Sequence, residues 1–280
     1  MPDPLFSSAR LRGYRILEAA DLGTAEDLAI RNTLIGSHLW LPVSLIEVAF
    51  RNLADRAISK AHPDGPAWLF ANVDGVEVFK AADVAGAGWL HSQRDDGSVE
   101  DPIRIAARMS SAQTQRAEMT RDDLIAHLML GFWVVRVPEA LSGQIDVFDV
   151  IASELPAPMD SGDRLRRMMV RDVLRIRNRV AHHEPLLFRR KHVLVPKSGA
   201  ERHGPDLVTS MQGAIAAFRQ EALEVVEVAK AMVPAAKVHL DRVLSQLNTD
   251  VGPLAARLDS ERERLRAERE IRRSERRESR

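Results

Sequence analysis

The 280-residue chain has no cysteine, which excludes disulfides, thiolate zinc sites and cysteine nucleophiles. Aromatic residues make up only 5% of it, with a single Tyr, and no alternating apolar-polar stretch is bounded by Asn-Gly or Asp-Gly turns. Sheets therefore have little to build on. An excess of one charge is missing too: 40 basic side chains face 40 acidic ones. That balance argues against a protein that coats nucleic acid indiscriminately, while leaving room for a local basic surface. Every hydrophobic run is broken by a charge, Pro or Gly well before about 18 residues, so no transmembrane span is expected. The opening MPDPLFSSARLRGYR has no apolar core of the signal-peptide kind, and the expected location is the cytoplasm.

What is present is helical patterning. The spacing predicts an all-α protein, with a helix over residues 24–37 capped by Thr24 and a second after Pro42 that buries Leu45, Val48, Ala49, Leu53 and Ala57. That helix should end before His62-Pro63-Asp64-Gly65-Pro66. Residues 71–101 read as an irregular insertion, and helices resume over 102–117 and after Thr120, the latter taking in Leu124, Leu128 and Leu130. A further helix is expected over 163–183, begun by an Asp163 cap and stopped by Glu184-Pro185. Two more fall near 207–233 and 234–247. The expected organisation is a helical domain over 1–200, a helical extension over 201–250 packed on it, and a charged C-terminal helix or tail over 251–280, set off by Gly252-Pro253. Residues 259–280 hold nine Arg against seven acids, the composition of a solvated helix.

Of the 40 basic residues 34 are Arg, whose planar guanidinium suits phosphate. They concentrate between Arg164 and Lys191, where nine Arg and one Lys face only Asp172 and Glu184, a local balance of +8. On a helix, Leu165, Met169, Val173, Ile176 and Val180 make an apolar stripe, and Arg171, Arg175, Asn178 and His182 a separate polar one. Adjacent imidazoles can move protons, and guanidiniums can neutralise charge on a pentacoordinate phosphorus transition state. Asn178, four residues before His182, is placed to fix its ring. Asp172 and Glu184 are too few and dispersed for a magnesium nuclease site, and His182-His183 lacks His-Glu-x-x-His zinc spacing. No metal or cofactor is expected. The plain alternative is that the two His merely complement a helix C-terminus.

Arg177-Asn178-Arg179-Val180-Ala181-His182-His183 resembles the Arg-Asn-x-x-Ala-His-His signature of the Abi-like (abortive infection) family, a branch of the HEPN superfamily. Leu45-Ile46-Glu47-Val48-Ala49-Phe50-Arg51-Asn52 is similar to the family's helix with Glu and a following Arg-Asn. Leu130-Gly131-Phe132-Trp133 is similar to its Phe-Gly-Phe-Trp segment, with Leu130 in place of the aromatic. The three blocks occur in family order within residues 20–192.

The resemblance implies a HEPN-type helical bundle that dimerises and cleaves RNA without metal, as a toxin in phage defence or a toxin–antitoxin pair. The RNA 2′-hydroxyl would attack the adjacent phosphate, leaving a 2′,3′-cyclic phosphate and a 5′-hydroxyl. Carried over by position, His182 is the acid/base, Arg177 the phosphate ligand, Asn178 the orienting group and His183 a second proton carrier. Arg175 stands in reserve, because on an ideal helix Arg177 and His182 project about 140° apart. Glu47, Arg51, Asn52, Arg171 and Arg179 are expected to bind RNA or support the site. The expected partners are RNA, a second copy and an antitoxin, protein or RNA. Trp40, Phe132 and Trp133 are assigned to packing, and Arg189, Arg190 and Lys191 to a solvated loop by default, with an extension of the phosphate surface as the alternative. The alternative is a HEPN protein that binds RNA or scaffolds an oligomer without cutting.

Overall fold

The structure is a computed structural model that describes residues 11, 14, 23–70, 78–80, 86, 92–93, 99–114, 118–157, 159, 161–187 and 205–278. These residues are mostly helical, as the patterning predicts, and they form two compact units, each assembled from separate stretches of sequence.

A long helix, α1 (Ala25–Ala61), starts where Thr24 Oγ1 accepts from the Asp27 amide at 3.1 Å and ends just before His62-Pro63. The two helices expected over 24–61 are a single one with Pro42 inside. A proline in a helix interior removes one backbone donor and costs roughly 3 kcal/mol. The helix runs on because Ile35, Leu39, Val43, Ile46 and Phe50 are fully buried along one side, before and after the proline. The expected stripe holds in its second half, where Leu53 and Ala57 are buried, but not in its first: Val48 is 59% exposed and Leu45 and Ala49 half-buried, while Ile46, Phe50, Ala54 and Ile58 are buried. Leu45 and Val48 have helical spacing, but their line continues into Asn52, Asp55 and Arg56. The Ile46 line continues into apolar residues. Gly36 and Pro42 likewise interrupt the apolar run without interrupting the helix. As a result α1 contains an 18-residue stretch long and apolar enough to cross a membrane by length and composition, 39% of it buried in the fold.

One unit comprises Val43–Arg175 and Glu227–Lys237. Trp133 packs edge-on against Trp68 and Phe132, with ring centroids 6.1 and 5.4 Å apart, so Phe132 and Trp133 are packing residues as expected. The Asp55 carboxylate accepts from Trp68 Nε1 and Arg121 Nε, both at 3.2 Å. Within 71–101 the described residues form β1 (Val78–Lys80), β2 (Ser92–Gln93) and β3 (Val99–Glu100), with Gly86 in a bridge to Phe70, and apart from Asp101 the rest of the expected insertion lies outside the described residues. β2 pairs with β3, and β1 with β4 (Glu118–Thr120), both antiparallel. α2 (Pro102–Thr114) stops short of 117 to make room for β4. Thr120 and Asp123 form a reciprocal capping box on α3 (Arg121–His127). α3 ends there because Leu128 turns extended, and a π-helical turn, Phe132–Arg136, leads into α4 (Val137–Ala140) and then α5 (Val147–Ser153).

The other unit comprises Met1–Pro42, Ile176–Val226 and Val238–Arg280. Within it α8 (Pro205–Met232) and α9 (Lys237–Glu278) run antiparallel, joined by Gln212 to Asp259 and Arg219 to Asn248. Arg31 donates to the Asp250 carbonyl at 3.2 Å and His38 Nε2 lies 2.9 Å from the Asp250 carboxylate, docking α9 on the first half of α1. No break falls at Gly252-Pro253: Leu240, Val243, Leu247, Val251, Leu254 and Leu258 form one buried stripe that carries α9 past the proline. Beyond it the charged segment is a solvated helix in which Arg264 pairs with Glu261 and Glu268.

Candidate functional site

The Arg-rich segment folds as a continuous helical run: α6 (Gly162–Arg167), a π-helical stretch Met168–Val173, and α7 (Leu174–Ala181). Its cap is Ser161, whose hydroxyl accepts from the Arg164 amide at 3.2 Å, and not Asp163, which is the second residue of the first turn, where its charge still suits the helix N-terminus. Gly162 selects that start. A Cβ there would fall 2.2 Å from Asp149 Oδ1, to which the Gly162 amide donates at 3.0 Å. Leu165, Met169, Val173 and Ile176 are buried as expected, and Val180 half-buried. Asp172 is completely buried as well, its two oxygens taken by Arg171 Nε and NH2 at 3.0 Å each. A buried carboxylate needs such pairing.

α7 closes in a Schellman turn. The His183 amide donates to the Val180 carbonyl at 3.1 Å and the Glu184 amide to the Arg179 carbonyl at 2.8 Å, with His183 at φ 52° in the left-handed position where glycine is usual. His183 is the one non-glycine residue with positive φ among the described residues. The chain beyond is clamped by Asn32, a buried residue of α1. Its amide donates to the Glu184 carbonyl at 3.2 Å, and its oxygen accepts from the Leu186 amide at 2.6 Å. Pro185 cannot continue the helix.

On α7, Arg175, Asn178 and His182 follow one face, with Asn178 and His182 exposed and Arg175 half-buried. Arg177 lies on another side, half-buried. Its NH1 donates to Asn178 Oδ1 at 3.4 Å, so the Asn178 side chain reaches Arg177 rather than the His182 ring. Arg179 is 8% exposed, and Arg171 is committed to Asp172. Glu47 and Arg51 form an ion pair, and Arg51 also donates to the Ala126 carbonyl, tying α1 to the end of α3 in a structural role. Asn52 is exposed. Arg189, Arg190 and Lys191 lie outside the described residues.

Two clefts flank this segment. One, of about 910 Å3, is lined by Arg166, Arg167 and Arg171 together with Glu139, Asp146 and Asp163. The other, of about 330 Å3, lies between α1 and the end of α7, and its lining includes Gly36, Trp40, Arg179, His183 and Glu184. Trp40 is half exposed in this cleft, not packed as expected, because it sits beside the stripe of Ile35, Leu39 and Val43 rather than on it. Asn32, Trp40 and Glu184 are the residues of this region that sequence reasoning did not place at the site. The signal available for Glu184 was its rarity, as one of two acids in the basic segment.

Comparison with models of known protein families, with curated proteins and with solved structures finds no match to this chain.

Proposed function

We propose that the chain is a metal-independent endoribonuclease of the Abi-like HEPN kind, acting in the cytoplasm as a toxin in phage defence or a toxin–antitoxin pair. The observation that carries this reading is the end of α7, where an exposed His182 adjoins a His183 held in a left-handed turn. Strained non-glycine residues cluster at functional sites. In the proposed reaction the RNA 2′-oxygen bonds to the adjacent phosphorus while the P–O5′ bond breaks. One imidazole takes the 2′-hydroxyl proton, and a protonated one supplies a proton to the leaving O5′. Arg175 or Arg177 neutralises charge on the phosphate. Homodimerisation is part of the proposal. It is supported by Ile30, Leu34, Leu41 and Val48, which are 42–59% exposed along α1 at four- and seven-residue steps.

The test is incubation of the protein and of His182→Ala with total bacterial RNA, with and without EDTA, followed by mapping of the cut ends. Cleavage by the unmodified protein alone, unaffected by EDTA and leaving cyclic phosphates, is the expected result. RNA bound equally by both proteins and cut by neither would favour the non-catalytic binding or scaffold reading.

A further inference from the structure

The cleft between Trp40 and Glu184 holds an arrangement that phosphate chemistry does not explain. Trp40 is 50% exposed and lines the cleft together with Gly36, which packs against Leu186 and Val180. An exposed indole in a cleft is a stacking platform for a base. At about 330 Å3 the cleft lies at the small end of ligand-binding sites.

Glu184 supplies the second observation. Of the two acids in the basic segment, Asp172 is buried and bonded by Arg171. Glu184 is exposed, lines the cleft, and its carboxylate has no ion pair among the described residues. A carboxylate repels phosphate but accepts N–H donors from a base edge. Its backbone is fixed on both sides, the amide by the Arg179 carbonyl and the carbonyl by Asn32. Only His183 separates it from His182, which puts the two Cα atoms at most about 7.6 Å apart.

We infer that this cleft is a nucleobase subsite that selects guanine in unpaired RNA, the ring stacked on Trp40 and its N1–H and N2–H donated to the two oxygens of Glu184. Adenine and cytosine offer one amino group beside a ring acceptor, and uracil a single N–H between two carbonyl oxygens that a carboxylate repels. The inference rests on the ribonuclease reading for its substrate class, but its test is binding rather than cleavage.

The experiment uses the full chain carrying His182→Ala and two labelled single-stranded oligoribonucleotides, one all uridine and one with a single central guanine, read by fluorescence anisotropy at fixed salt. The guanine oligonucleotide is expected to bind at least about fivefold more tightly, the low end of the discrimination that one bidentate base contact contributes. Trp40→Ala removes that advantage and Trp40→Phe keeps most of it. Glu184→Gln abolishes the guanine preference without weakening the uridine oligonucleotide, and a thermal melt confirms that each variant is folded. Equal affinity for the two oligonucleotides, a preference that survives both Trp40→Ala and Glu184→Gln, or no binding of either one overturns the inference. Cleavage by the unmodified protein without guanine preference at the cut would overturn this subsite and leave the ribonuclease reading standing. Guanine-dependent binding without cleavage would do the reverse.

Discussion

Replacing His183 separates its conformational role from its chemical one. At φ 52° its Cβ crowds the following carbonyl, a cost of roughly 1–2 kcal/mol for a non-glycine residue. Glycine escapes that cost but loses roughly 0.5–1 kcal/mol more backbone entropy on folding. The balance makes His183→Gly more stable than the parent by about 0.5–1 kcal/mol. His183→Ala keeps the strain and gains nothing from it, so it is expected to be no more stable than the parent. Urea denaturation followed by circular dichroism reads the difference as a shift in midpoint at constant slope. RNA cleavage is then measured on the same samples. If His183 carries a proton, both variants lose activity, although the glycine variant is more stable than the parent. If the residue only terminates α7, activity survives in both variants. A glycine variant less stable than the parent, or one indistinguishable in stability from the alanine variant, would refute the reading of this turn.

Gly162→Ala drives a methyl group onto the Asp149 carboxylate and backbone, and it should cost about 2–3 kcal/mol in urea denaturation, at the upper end for overpacking. Asn32→Ala strips the partners from the Glu184 carbonyl and the Leu186 amide. A loss of about 2–3 kcal/mol is expected from these buried bonds, with faster hydrogen exchange at the Leu186 amide as the local readout. The Lys60 ammonium, 2.8 Å from both Glu154 oxygens, holds that carboxyl below the ordinary glutamate range, with Arg56 adding to the effect. Because the folded value is the lower one, the stabilisation is present above the unfolded value and is lost as pH falls through the folded one. In an NMR titration Lys60→Met should move the Glu154 midpoint upward, and high salt should do the same more weakly.

The sequence showed the helices wherever local chemistry decided them. Thr24 and Thr120 cap as their positions suggest, and the line from Leu165 to Ile176 is buried as its spacing requires. What it did not show depends on partners remote in the chain. Pro42 and Pro253 look like helix breaks until the buried residues on either side of each are seen to lie on one stripe. The ladder between Val78–Lys80 and Glu118–Thr120 joins strands with no hairpin turn between them. Asn32 carries no motif at all, and its role exists only because Glu184 and Leu186 arrive beside it.

In the proposed cleavage, the geometry of α7 bears on which Arg would act with His182. Spacing on a helix puts Arg175 near the His182 face and Arg177 well round from it. The structure adds that Arg177 already bonds Asn178 and is half-buried, whereas Asn178 and His182 are exposed. A guanidinium that meets a phosphate on the His182 side from position 177 must leave Asn178, and Asn178 is then free to turn toward the His182 ring. The same movement would deliver both roles that the family resemblance implies. Arg175 already lies on the His182 face of the helix. Losing Arg177 should therefore alter both phosphate binding and the pH profile of cleavage, because the orienting Asn loses its partner. Losing Arg175 should weaken binding alone. Cleavage kinetics of Arg175→Met and Arg177→Met across pH decide between them, and identical profiles for the two variants would refute this coupling.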